Sequence, residues 1–429
     1  IARDALAVSR LAPTMLNLIE ERSMTWLYED LERPLISVLS RMEDIGVGVD
    51  VKELTRMRDH LVGEVQRLEA AIHGIAGREF NVNSTKQLRE VLFDELGLTP
   101  QKKTKTGYST DAASLEKIRD QHEVVGLLLE YREVEKLRST YGQGLLEVTD
   151  PDGRIRATFN QTVARTGRLS SEDPNLHNIP VRTSLGREFR RAFVPQTGYD
   201  FLVADYNQIE LRVIAHLAED PGLIKAFEEG QDIHNATAAS IFGVDLDKVN
   251  VEQRSRAKMV SYGLAYGMEA YGLGQRLGID TSEASEILDA YFAAFPAVRS
   301  FMDDVVEKTK EVGYTETIFG RRRPIPDLAA SNFRVRQAAE RQAMNAPIQG
   351  LAADIFKIAL VGIDRSLTEM EARSRLVLQV HDEVILEVHP DEYQDVQQMT
   401  VAQMSGAADL RVPLEVNLAT GPTWAQAKA

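Results

Sequence analysis

Residues 201–212 read Phe201-Leu202-Val203-Ala204-Asp205-Tyr206-Asn207-Gln208-Ile209-Glu210-Leu211-Arg212. Four apolar residues of strand length run into an acid, and from 208 to 218 the apolar spacing turns helical. Asp205 is therefore expected at a strand end. Far downstream, two strand-like runs, 376–380 and 384–388, flank His381-Asp382-Glu383. A tight hairpin there puts Asp382 at its tip. An acid in either setting is ordinarily a turn residue or a helix cap. The two are also the donors Mg²⁺ takes, since that ion is held by one or two carboxylates with phosphates and water. Phosphoryl and nucleotidyl transfer need charge neutralisation and in-line positioning more than covalent chemistry. Two ions about 3.5–4 Å apart serve both the attacking and the leaving oxygen.

Between the two acids, residues 252–267 carry Arg254, Lys258, Tyr262 and Tyr266 at intervals of four. Residues so spaced share one helix face. Met259, Val260 and Leu264 turn away from it, toward a core. Cations suit a triphosphate and flat rings suit a base and sugar, in the order a nucleotide presents them. The same pattern also describes a solvated cationic face running into a partly buried aromatic end. The stripe alone does not separate the two.

The 429 residues are 43% hydrophobic and 27% charged, ordinary for a globular chain able to bury a sizeable core. Cys is absent, which excludes disulfides and thiolate zinc sites and fits a reducing compartment. No apolar run approaches the roughly 20 residues of a membrane span, and no signal peptide is evident. The chain opens on Ile1 in mid-pattern, which reads as the continuation of a longer protein. Net charge is −15, which argues against a nucleic-acid partner, yet the charge is uneven. Residues 151–200 hold eight Arg against five acids, and residues 321–341 hold six Arg against two. Such stripes can hold a phosphate backbone or simply face solvent.

Residues 1–40 are helical in pattern, and 41–150 mostly so, with a capping-box signature at Ser84-Thr85-Lys86-Gln87. Residues 102–110, with Lys102, Lys103 and Lys105 among hydroxyls, read as an exposed loop, either gripping phosphates or merely solvated. Thr149-Asp150-Pro151-Asp152-Gly153 is a strong turn signal. Residues 214–329 are mainly helical, and a long helix over 334–365 is expected to be interrupted at Pro347.

Together these segments resemble the family A DNA polymerases, over roughly residues 30–429. Thr166-Gly167-Arg168-Leu169-Ser170-Ser171, Pro174 to Pro180, Asp232-Ile233-His234 and Arg341 to Gln349 agree with the family pattern in order. The resemblance implies an α+β right-hand polymerase fold with an antiparallel-sheet palm, helical fingers and a helical thumb. The thumb would be 41–150, the palm 151–213 and 330–429, and the fingers 214–329. Residues 1–40 would be a linker and remnant of an upstream exonuclease-like region. Asp205, Asp382 and the backbone carbonyl of Tyr206 would bind two Mg²⁺, with Mn²⁺ a possible substitute, and Glu383 would support catalysis. Arg254, Lys258, His234, Gln208 and Arg182 would hold the incoming dNTP, and Lys258 would protonate the departing pyrophosphate. Tyr262 would lie against base and sugar, while Glu210 and Tyr266 would crowd the 2′ position. Arg168, Asn345, Gln349 and Arg341 would sit at the minor groove, where the A N3 and T O2 acceptors recur whichever way a pair is oriented. His381 would lie near the primer end, and Lys102, Lys103 and Lys105 would touch DNA.

The implied protein is a template-directed DNA polymerase of the bacterial cytoplasm and nucleoid, active in replication and repair gap filling. It would be a monomer whose partners are primer–template DNA and dNTPs, with no membrane. No proofreading is expected of this chain. Two residues depart from the commonest family pattern. Asn207 stands where Ser is usual, with little expected effect. Tyr262 stands where many members have Phe, which is associated with accepting dideoxynucleotides. A single-subunit RNA polymerase shares the metal and triphosphate motifs, but Glu210 argues against it. A non-catalytic DNA-binding relative would be expected to lose Asp205, Asp382 or Lys258, and a two-metal nuclease would not need the cationic stripe.

Overall fold

The expected strand before Asp205 forms as Asp200–Tyr206, at the centre of a four-stranded antiparallel sheet. Its order is Arg375–Val380, Glu383–Val388, Asp200–Tyr206, Val416–Gly421. The structure is a computed structural model that describes every residue except 1, 106, 180–183, 266 and 429, and the side chains of 2, 184, 185 and 265 are also outside the description. Arg182 and Tyr266, both expected in the site, thus lie outside the described residues. The central strands are apolar along both faces, with Phe201, Leu202, Ala204, Ile385 and Leu386 fully or almost fully buried. An antiparallel sheet usually leaves one face to water. Here the helices Arg33–Ile45, Phe333–Glu369 and Tyr393–Ser405 pack against it, which accounts for the unbroken apolar runs.

The hairpin at 381–382 is tighter than the sequence suggested. Glu383 is already the first residue of its strand, which leaves His381 and Asp382 as the turn. The remainder is helical. Val51–Ala76 packs on Glu123–Leu137, and Ile233–Phe242 packs on Val251–Ala265. Asp50, Asp220, Asp232 and Asn332 each cap a following helix through a side-chain oxygen. Ser84 caps Thr85–Arg89 as expected, but the side chain of Gln87 bonds the N–H of Asn81 instead of closing the capping box.

Three other expectations need correction. Lys103–Thr104 pairs antiparallel with Gly107–Tyr108 instead of lying in an unpaired loop, and the Thr104 hydroxyl bonds the Gly107 carbonyl at 2.6 Å. Phe333–Glu369 runs unbroken through Pro347. A central proline costs a helix about 3 kcal/mol. Burial offsets that here, since Ala346, Pro347, Ile348, Gly350 and Leu351 are all inside. The same helix is long and apolar enough to cross a membrane by composition, which the sequence reading passed over. Its most apolar window is 83% buried within the fold, as befits a core helix.

Candidate active site

The sheet register brings the two acids together. Glu383 lies opposite Asp205 on the neighbouring strand, and the amide of Tyr206 donates to the Asp382 carbonyl at 3.2 Å. Asp205 and Asp382 therefore occupy adjacent strand ends despite their separation in sequence. Two non-glycine residues beside them adopt left-handed backbone: His381 at φ 56° and Gln208 at φ 57°. Such strain persists only where the surroundings enforce it, and it gathers at functional sites. The turn is held by Gln379, whose buried amide donates to the His381 carbonyl at 2.7 Å.

Among the described residues, neither the Asp205 nor the Asp382 carboxylate has a hydrogen-bond or ion-pair partner. Burial, with help from the Glu383 and Asp382 charges, pushes the Asp205 carboxyl up to about 6, against the pull of Lys428 and Arg190. Burial also raises Asp382, opposed by Arg168 and His381. Clustered acids with free lone pairs are the donor set a divalent cation would relieve. No group of three or more His, Cys, Asp or Glu among the described residues is arranged to hold a metal alone. Two carboxylates with phosphates and water need no such group.

Glu383 is differently placed. Trp424 Nε1 donates to one oxygen at 2.5 Å, Lys428 pairs with the other, and Arg190 stands 3.8 Å away. The Arg190 guanidinium stacks 4.0 Å from the Trp424 ring. This clamp was missed from the sequence. Trp424 and Lys428 follow the strand Val416–Gly421, and no local pattern in the sequence points from them to Glu383.

The helix stripe forms on Val251–Ala265, with Val260 and Leu264 buried as expected. Arg254 pairs with Asp232 at 2.8 Å, so it is held by an acid rather than left open. Asp232 in turn caps the helix that carries His234. The His234 ring is buried 5.7 Å from Tyr262, and burial pushes it down to about 4. Lys258 is exposed between Arg254 and Tyr262. Arg254, His234 and Tyr262 are thus gathered together.

Arg168 and Glu210 form an ion pair, with Glu210 only 4% exposed. The residue expected at the minor groove and the one expected at the sugar are one unit. A recess of about 50 Å³ is lined by Arg168, His177, Lys357, Gln379, His381 and Asp382. Arg341, Asn345 and Gln349 follow one face of the long helix. Arg341 holds Glu269 at 3.2 Å, and Gly267 (φ 66°) leaves no room for a Cβ, which would lie 2.8 Å from the Asn345 amide. Asn207 bonds Glu415 through its side chain at 3.1 Å. Lys102, Lys103 and Lys105 sit exposed on the small hairpin, with only Lys102 near an acid, Asp111 at 3.8 Å. None of the three lines the recess around Asp382.

The pattern of DNA polymerase family A matches residues 51–426, so the chain belongs to that family. It is 47% identical to DNA polymerase I of Bacillus subtilis (strain 168), over 100% of this chain and 49% of that protein. It is 49% identical to DNA polymerase I of Mycobacterium tuberculosis (strain ATCC 25618 / H37Rv), over 93% of this chain and 44% of that one. The chain spans about half the length of the curated relatives it matches. A solved structure described as the POL domain of Pol1 from M. smegmatis in complex with DNA primer-template and dNTP superposes with a TM-score of 0.95. It has 44% identity and covers 99% of this chain and 75% of that one. The fold is accordingly the α+β polymerase fold.

Proposed function

We propose that the chain is a template-directed DNA polymerase that extends a primer 3′ end with deoxynucleotides. The observation that carries this is the juxtaposition of Asp205 and Asp382 at adjacent strand ends, both raised and unpartnered. Asp205, Asp382 and the carbonyl of Tyr206 would hold two Mg²⁺, with Mn²⁺ as a substitute. Metal held there would supply Lewis-acid activation of the attacking hydroxyl and charge neutralisation of the leaving group. The primer 3′ hydroxyl loses its proton to solvent as its oxygen bonds to the α-phosphorus, the α–β bridging bond breaks, and pyrophosphate departs, taking a proton from Lys258.

Arg254, Lys258, His234 and Gln208 bind the triphosphate, Tyr262 takes base and sugar, and Glu210 excludes the 2′-hydroxyl. Arg182 and Tyr266 belong to the same group on the strength of the family pattern alone. Arg168, Arg341, Asn345, Gln349 and His381 contact primer and template, and the three hairpin lysines contact duplex phosphates. Residues 41–150 act as thumb, 151–213 and 330–429 as palm, and 214–329 as fingers, with 1–40 a linker. The sheet supports this division, since its strands fall in the two palm segments. Glu383 serves as the support beneath Asp205. The work is replication and repair gap filling in the bacterial cytoplasm, by a monomer, without proofreading by this chain.

Primer extension on a defined template with Mg²⁺, and again with chelator, tests the reading. Extension that depends on the ion is expected. No extension with any divalent ion overturns it. Steady release of nucleotides from an unpaired 3′ end without dNTPs overturns the absence of proofreading.

A further inference from the structure

Four charged residues that the proposed reaction does not use meet inside the protein. Arg321 Nε donates to Asp354 at 2.6 Å, and its other arm pairs with Glu32. Lys357 Nζ donates to the same Glu32 carboxylate at 2.7 Å, and the Thr317 hydroxyl donates to Asp354 at 2.7 Å. Asp354 and Lys357 are fully buried, and two acids balance two bases. Buried ion pairs often add little net stability over apolar packing. A purely structural purpose is therefore a weak account of the cluster.

Its connections suggest another purpose. Gln161 donates to the Glu32 side chain at 2.7 Å and to its backbone carbonyl at 3.0 Å. Six residues later, Gly167 (φ 84°) rests on the Arg321 stem so closely that a Cβ would lie 2.7 Å from Arg321 Cδ. Gly350 leaves room for the Thr317 methyl, which a Cβ there would meet at 2.8 Å. The segment 161–168 is thus held at one end by Glu32 and at the other by Arg321. It delivers Arg168 to the recess that Lys357 also lines.

We propose that Glu32, Arg321, Asp354 and Lys357 are positioning residues that set segment 161–168, and so place Arg168 against the primer terminus. The inference rests on the polymerase reading above. Side chains that act on the reacting groups must be held by packing and by supporting hydrogen bonds. The cluster supplies that support from three distant parts of the chain.

The test compares Gln161→Leu and Asp354→Asn in the whole chain, each with and without Arg168→Ala. Steady-state KM for primer–template and kcat are measured, with thermal melts as a check on folding. Each single variant is expected to raise KM roughly three- to tenfold, with kcat changed less than about twofold. Beside Arg168→Ala, either change is expected to add nothing further, because its effect passes through Arg168. Asp354→Glu, which keeps the charge, recovers part of the loss. A KM rise of equal size in the Arg168→Ala background overturns the proposal, as does no rise in either single variant. Should Asp354→Asn fail to fold, Gln161→Leu, which leaves all four charges in place, carries the test. Extension by wild type without the variant effects sinks only this proposal, whereas no extension by wild type sinks the polymerase reading and this proposal with it.

Discussion

Glu383 faces Asp205 directly across the two central strands, and its own carboxylate is already taken by Trp424 and Lys428. The two acids therefore have different tasks, one open to ligands and the other fixed in place. Asp205→Asn and Asp382→Asn are expected to abolish primer extension. Glu383→Gln, which perturbs a supporting contact, should cost about 10–100-fold in activity. Single-turnover extension at saturating Mg²⁺ distinguishes these outcomes, and equal losses would remove the distinction.

The same geometry predicts a stability change of opposite sign. The folded-state pKa of Asp205 is raised, so its favourable contribution is present at low pH and is lost as pH rises from about 4 through about 6. At pH 8 without metal the ionised group is a net burden. Asp205→Asn should then melt higher than wild type, by on the order of 1 kcal/mol once its partial exposure is allowed for. Added Mg²⁺ should stabilise wild type and leave the variant unmoved. Thermal melts with and without Mg²⁺ read this out.

Glu210 pairs with Arg168, and it is the residue proposed to exclude the 2′-hydroxyl. Glu210→Ala should open the 2′ space and admit ribonucleotides. It should also weaken primer–template binding, because Arg168 loses its anchor. The ratio of rNTP to dNTP incorporation and the KM for primer–template are the measurements. Relaxed sugar selection with unchanged KM would show that the ion pair does not position Arg168.

Tyr262 lies beside buried His234, their ring centroids 5.7 Å apart. Tyr262→Phe should strengthen discrimination against dideoxynucleotides while normal dNTP incorporation persists. Unchanged chain termination in a competition assay would end this view of the phenol.

Burial holds His234 and His177 neutral down to about pH 4. Unfolded histidine takes its proton near 6.5. Between those values the unfolded state binds more protons, so stability falls as pH drops. Each residue contributes up to about 1.4 kcal/mol per pH unit crossed. His234→Gln should flatten this part of the acid limb in denaturant titrations from pH 7 to 4.

The sequence revealed most where function is written in short runs. Asp205 at its strand end, Asp382 at its turn and the Arg254–Tyr262 face were all legible from spacing. Contacts across long separations were not. Nothing local to Lys428 tells that it reaches Glu383, and nothing near Glu32 announces Arg321 or Lys357. Pro347 misled for a related reason. Its helix-breaking tendency is a local property, and the burial that overrides it comes from the whole fold. Residues 102–110 carry a single large ring, Tyr108, so the short strand pair there gave no alternating signal.

The contact between Lys428 and Glu383 has a practical consequence for anyone handling the protein. A fluorophore attached close to Lys428 would pull on the contacts that fix Glu383 opposite Asp205. The Ala2–Glu21 helix is largely exposed. Attachment there is expected to spare the Glu383 contacts, and a sluggish preparation labelled near Lys428 should be suspected of a tethering artefact before a chemical defect.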